Sequence, residues 1–199
     1  MENIVYEFEG SVYLNLTNKC PCNCDFCLRN NGDQVGDSGS LWLSADPTYE
    51  QVLAAVNGFD FGNRKSVVVC GYGEPTCALD NLLRICRLLK DRGFTIRLNT
   101  NGLSDLINGR ETAAELCEVV DTFSISLNAP TAEKYDAIVH SDFGLPAFDA
   151  MLRFAADCKA CGREVKLSVV DVIGEQDIAA CRQIADRLGI PLRVREYID

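Results

Sequence analysis

Four cysteines fall within eight residues of this chain, in the run Cys20-Pro21-Cys22-Asn23-Cys24-Asp25-Phe26-Cys27. Thiolates bind zinc, hold iron-sulfur clusters and act as nucleophiles, so three kinds of chemistry compete for the loop. Structural zinc normally draws its ligands from two separated pairs, and so short a loop would have to fold tightly to enclose one ion. A ferredoxin-type run needs three two-residue spacers, which this loop does not supply. What it supplies is Cys20-x3-Cys24-x2-Cys27, with Cys22 as the odd thiol. Cys70, Cys86, Cys117, Cys158, Cys161 and Cys181 sit in apolar strand or helix patterns and read as small core residues, the Cys158/Cys161 pair included. With no export signal in view, free thiols are expected rather than a disulfide framework.

The elements that must position this loop follow from periodicity. Short β-branched runs at 12–16, 66–70, 95–99, 122–127, 165–171 and 192–197 predict six strands, alternating with helical segments. Asp46-Pro47-Thr48 opens one helix and Asp80 the next, while Gly93, Gly162 and Gly189 stop three helices ahead of the following strand. Such alternation implies an α/β fold with a parallel sheet and right-handed crossovers, either doubly wound or a partial barrel. Residues 28–46 form one long unpatterned stretch that carries Leu41-Trp42-Leu43, and a loop of that length is usually functional. Chemistry in parallel α/β folds collects at the C-terminal strand ends. There stand the cysteine loop, Gly71-Tyr72-Gly73-Glu74-Pro75-Thr76, Thr100-Asn101-Gly102, Ser124 to Asn128, and Arg195-Glu196-Tyr197.

Placed directly after the first predicted strand, Cys20-x3-Cys24-x-Phe26-Cys27 resembles the signature of the radical S-adenosylmethionine (radical SAM) superfamily. The resemblance implies a single-domain partial (β/α)6 TIM-like barrel over residues 1–199, with its core at about 11–198 and its cluster loop at 18–30. It implies a [4Fe-4S] cluster held by Cys20, Cys24 and Cys27, whose fourth iron is chelated by S-adenosylmethionine, and leaves Cys22 as a loop residue. Reductive cleavage of the sulfonium would give a 5'-deoxyadenosyl radical for hydrogen abstraction, the cofactor carrying the difficult chemistry. Gly71-Tyr72-Gly73-Glu74 resembles the superfamily's Gly-Gly-Glu motif with Tyr72 interposed, which assigns Gly71, Gly73 and Glu74 to the methionyl amine. Phe26 joins the cofactor set. Ser126 and Asn128, alternating with Ile125 and Leu127 on the fourth strand, are expected to share a face and meet the ribose or the methionyl carboxylate. Val172, with Ile173, would wall the adenine, and Arg195 is a further cofactor-side candidate. Tyr72, Cys77, Asp171 and Trp42 are candidates for substrate contact or for proton and hydrogen transfer, and His140, the only histidine, is given no catalytic role.

More closely, the runs at 15–22, 41–43, 70–77 and 194–197 look like the small radical SAM proteins associated with TatD-type hydrolases. That resemblance implies an external one-electron donor of flavodoxin or ferredoxin type and a TatD-type hydrolase as associate. An open barrel also admits a glycyl-radical activase acting on a partner protein, and the non-enzyme alternative is a metal-binding module. With 19 basic against 29 acidic residues, the net charge of -10 argues against direct nucleic-acid binding. The first residues lack a signal-peptide pattern and no stretch reads as a bilayer span, so a cytoplasmic protein without a membrane partner is expected.

Overall fold

The computed structural model describes residues 2–197. Strand β1 (Val5–Phe8) and strand β2 (Ser11–Leu14) form an antiparallel hairpin. Its two turn residues, Glu9 and Gly10, both have left-handed φ, which matches the right-handed twist of the paired strands. Five parallel strands follow: β3 (Ser66–Val69), β4 (Thr95–Thr100), β5 (Thr122–Ser126), β6 (Glu164–Val170) and β7 (Leu192–Arg195). The sheet order is β1-β2-β3-β4-β5-β6-β7. Seven strands therefore stand where six were expected. The hairpin strand was missed, and the last strand stops at Arg195 rather than running to residue 197.

Sequential order resolves the choice of architecture. Right-handed crossovers that always step the same way put every connecting helix on one face, whereas a doubly wound sheet needs a reversal. The fold is thus the partial barrel. Its helices are α1 (Tyr49–Gly58), α2 (Leu79–Asp91), α3 (Ser104–Asn108), α4 (Ala113–Val119), α5 (Ala132–Val139), α6 (Pro146–Ala160) and α7 (Glu175–Leu188). Thr48 starts α1 through a reciprocal capping box with Gln51. Asp80 does not open α2 as expected. A 3-10 turn over Pro75–Ala78 feeds that helix, and Asp80 lies inside its first turn.

Strand alternation divides the sheet into two faces. Leu14, Val67, Val69, Leu98, Phe123, Ile125, Leu167 and Val169 point at the helices and are fully buried, forming the main core. The opposite parity faces the lumen and is polar along β4 and β5, where Arg97, Asn99, Ser124 and Ser126 are only half-buried. On the hairpin side the lumen is closed by a smaller apolar cluster of Tyr6, Leu41 and Tyr72, with Tyr6 stacked on Tyr13. Cys86, Cys117, Cys158 and Cys181 are buried as expected, but Cys161 is exposed beyond the end of α6. Cys70 is outside the main core: one residue past β3, it shares the inward parity of Val68.

Candidate functional site

The cysteine loop leaves the C-terminal end of β2 and is tied down on each side. Asn15 Nδ2 donates to the Leu41 carbonyl (2.7 Å), Asn18 exchanges hydrogen bonds with the Leu43 backbone, and Thr17 Oγ1 donates to Asp46 (2.6 Å). These contacts bind the loop to the stretch that carries Leu41-Trp42-Leu43. On the other side, Asn23 N and Asp25 N donate to the carbonyls of Val139 and Ile138 at the end of α5 (both 3.0 Å), and Asp142 N donates to Pro21 O (2.8 Å). His140 caps α5 in a left-handed conformation and places Nε2 2.8 Å from Asp25 Oδ1. The lone histidine thus braces the loop from outside.

Within this frame Cys20, Cys24 and Cys27 are half-buried, whereas Cys22 is buried, and Asn101 Nδ2 approaches its sulfur at 3.6 Å. The Arg29 guanidinium donates to Cys27 Sγ (3.3 Å) and to the Cys22 carbonyl (3.1 Å) and lies within electrostatic reach of Cys20 and Cys24. A hydrogen bond from Cys22 pulls the Cys20 thiol down, while burial pushes Cys24 up to about 12. Among the described residues, no three His, Cys, Asp or Glu side chains are gathered as a single-ion site requires. A zinc ion needs its sulfurs about 2.3 Å from one point, but a cubane takes each thiolate on a different iron and spreads them apart. Three half-buried thiols, with an arginine donor beside one sulfur, suit the cubane.

The Gly71-to-Glu74 turn is pressed against the same loop. A Cβ on Gly73 would lie 2.2 Å from Thr17 O and 2.7 Å from Lys19 O, and one on Gly71 would meet the Asn15 side chain at 2.0 Å. Gly73 admits the chain's own backbone and Gly71 the Asn15 side chain, requirements met before any ligand is considered. Glu74 N donates to Lys19 O (2.7 Å), fastening turn to loop. The Glu74 carboxylate is buried, and burial pushes it up against four hydrogen bonds. It accepts from Thr76 N and Oγ1, Thr100 Oγ1 and Asn101 N at 2.7–3.1 Å. Its charge knits the ends of β3 and β4 together instead of standing open to a cation.

The expected shared face of Ser126 and Asn128 is not seen. β5 ends at Ser126, Leu127 N and Asn128 N both donate to Ser168 O, and Asn128 has φ +57, so the alternation breaks between them. Asn128 is nonetheless buried, with an unpartnered Oδ1. Phe26 and Val172 line one cleft. Its volume is about 600 Å³, Ile138, Ile173, Ala129 and Ala137 also line it, and its polar members are Asp25, Lys134, Asp177 and Tyr197. Arg195 points into the lumen and makes no ion pair with Glu196 among the described residues. Burial pushes it below the usual arginine range, and its Nε is unpartnered.

The four substrate-contact candidates do not converge. Tyr72 is buried, its hydroxyl donates to Gly32 O (2.8 Å), and its ring packs edge-on against Trp42. Asp171 is exposed and accepts from Tyr197 N (3.0 Å), while Cys77 lines a separate groove with Lys19, Cys20 and Arg29. Residues that sequence reasoning missed include Asn15, Arg29, Asn99, Asn101 and Arg97. Asn99 and Arg97 carried a signal, since polar residues alternating with Ile96 and Leu98 mark an inward strand face.

The sequence pattern of the Radical SAM superfamily matches residues 14–188, and the chain belongs to that superfamily. Its members are enzymes that bind a [4Fe-4S] cluster. An uncharacterised protein of Methanocaldococcus jannaschii is 28% identical over 149 residues, 71% of this chain and 43% of its own length. A probable dual-specificity RNA methyltransferase RlmN of Pseudothermotoga lettingae is 30% identical over 127 residues, 60% of this chain and 34% of its own length. The chain thus spans less than half the length of these curated relatives. Streptococcus suis SuiB, in a crystal structure with S-adenosylmethionine bound, superimposes with a TM-score of 0.61 at 21% identity, over 94% of this chain and 38% of SuiB. Among the described residues no helix is long and apolar enough to cross a membrane.

Proposed function

We propose that this chain is a radical SAM enzyme in which Cys20, Cys24 and Cys27 hold the cluster and Cys22 does not. The supporting observation is the burial of the four thiols: Cys20, Cys24 and Cys27 are half-buried on one braced loop, whereas Cys22 is buried. Bound there, the cluster would supply the electron that cleaves S-adenosylmethionine to a 5'-deoxyadenosyl radical. The chain's own residues bind and orient. The Phe26, Val172 and Ile173 cleft has an apolar wall and is of the size that small ligands occupy, and it takes the adenine. Asn128 and Ser126, at the end of β5, offer polar atoms for the ribose or the methionyl carboxylate, and the Gly71-to-Glu74 turn contributes backbone groups. Arg29 steadies the Cys27 sulfur, and the Leu41-Trp42-Leu43 stretch keeps the loop rigid and dry. A flavodoxin- or ferredoxin-type donor belongs to this reading, with a TatD-type hydrolase as associate. No observation favours the activase or the non-catalytic module. Anaerobic reconstitution followed by iron counting and measurement of 5'-deoxyadenosine after adding dithionite and S-adenosylmethionine tests it. About four irons and a product absent in Cys24→Ala are expected. Zinc in place of iron would end it.

A further inference from the structure

The strand register places a positively charged surface inside a chain that is acidic overall. Across β3, β4, β5 and β6, Val68 pairs with Arg97, Arg97 with Thr122 and Thr122 with Glu164. The next inward row runs from Asn99 to Ser124 to Lys166, and further along Ser126 pairs with Ser168 and Ser168 with Arg193. Arg195, opposite Val170, completes the set on β7. Parallel neighbours in register point the same way, so Arg97, Lys166, Arg193 and Arg195 share the concave face. Lys166 is neutralised by Glu164 at 2.8 Å. Arg97, Arg193 and Arg195 have no carboxylate partner among the described residues.

Arg97 and Arg195 share this face with Cys70 and Asn99. Cys70 lies within electrostatic reach of both Arg97 and Arg195, and Cys24 of the cysteine loop within that of Arg195. The Nε atoms of Arg97 and Arg195 and the Oδ1 of Asn99 are buried and unpartnered. Tyr13 leans on Arg97 but brings no charge at neutral pH, and burial holds its hydroxyl in the neutral form. The acidic groups nearby are already engaged, Glu74 by Thr76, Thr100 and Asn101, Glu164 by Lys166. A buried guanidinium Nε left without an acceptor is costly, and the planar fork of arginine suits a carboxylate or a phosphate.

We propose that the substrate carries an anionic group, carboxylate or phosphate, which seats in the lumen between Arg97 and Arg195 beside Asn99. This inference rests on the enzyme reading given above and adds the substrate's chemical class. Uncharged parts of the substrate would then extend from the arginine pair toward the cysteine loop, where Cys24 lies within electrostatic reach of Arg195.

The test uses the full chain, with and without reconstituted cluster. Malonate and inorganic phosphate are titrated by calorimetry against chloride at matched ionic strength, into wild type, Arg97→Gln, Arg195→Gln, the two lysine variants at the same positions, and Arg92→Gln as a surface-charge control. Saturable binding of one of the two anions is expected in wild type and Arg92→Gln. Affinity should fall about tenfold or more in each glutamine variant and partly recover with lysine. The better anion tells carboxylate from phosphate. Arg97→Gln should keep its iron and still form 5'-deoxyadenosine without substrate. No saturable binding of either anion, unchanged affinity in the variants, or loss of S-adenosylmethionine cleavage with anion binding intact would each overturn the proposal. Anion binding is read without iron, so a chain that takes up no cluster refutes the enzyme reading while leaving this result legible.

Discussion

Gly73→Ala tests whether the turn after β3 and the cysteine loop are one packed unit. An alanine Cβ would sit 2.2 Å from Thr17 O, 2.7 Å from Lys19 O and 2.8 Å from Thr17 C, all backbone atoms that no rotamer change can move aside. Relief requires the loop to shift, and the first bond to go is Glu74 N to Lys19 O at 2.7 Å. Overpacking of this kind costs about 1–3 kcal/mol and the lost hydrogen bond about 0.5–1.5 kcal/mol, so the variant should be destabilised by about 2–4 kcal/mol. For a chain of this size that is a fall in Tm of about 5–15 °C. Urea unfolding of the apo chain measures it, and iron uptake should fall in parallel because the displaced segment leads directly into Cys20. Gly58→Ala is the control: that glycine ends α1 with nothing within 4 Å of its added Cβ. It should gain about 0.4–1 kcal/mol through the unfolded state. If Gly73→Ala unfolds within about 0.5 kcal/mol of wild type and takes up normal iron, the close-approach argument is wrong.

Three further outcomes separate the roles assigned above. Glu74→Gln puts an NH2 group against a set made wholly of donors from Thr76, Thr100 and Asn101, and should cost about 2–3 kcal/mol in urea unfolding; a loss under about 0.5 kcal/mol would show the carboxylate is not what joins β3 to β4. Cys22→Ala should keep about four irons while losing about 1 kcal/mol of stability, whereas Cys20→Ala or Cys27→Ala should lose the cluster; iron loss in Cys22→Ala would make it a ligand. The Asp46 carboxyl lies below its ordinary 3.8, since burial raises it but bonds from Lys19 and Thr17 outweigh that effect. Its contribution is therefore present above that value and lost as pH falls through the folded value, so Asp46→Asn should flatten the stability profile below about pH 4. An unaltered acid limb would refute that assignment.

What was legible in the sequence was whatever depends on neighbours along the chain. The Cys20-x3-Cys24-x2-Cys27 spacing, the Thr48 cap and the glycine stop at Gly189 are local patterns, and each is found where its local chemistry puts it. The hairpin strand at Val5–Phe8 was harder to see, because a four-residue run gains strand identity only by pairing, and its Glu9-Gly10 turn lacks the usual Asn-Gly or Asp-Gly signal. The roles of Tyr72, Gly73 and Glu74 were illegible for a different reason. Each is decided by a segment far away in sequence, at Gly32, at Thr17 and Lys19, and at Thr100 and Asn101. Cys70 shows where the boundary runs. Its strand, Val67-Val68-Val69-Cys70, is apolar on both parities and gives no clue to which side faces inward. The adjacent strand does: Arg97 and Asn99 against Ile96 and Leu98 fix the inward parity of β4, and the β3–β4 register carries that choice to Val68 and so to Cys70. One amphipathic strand thus sets the inward face of an ambiguous neighbour once register is known, because a one-residue slip would turn every side chain of that neighbour to the other face.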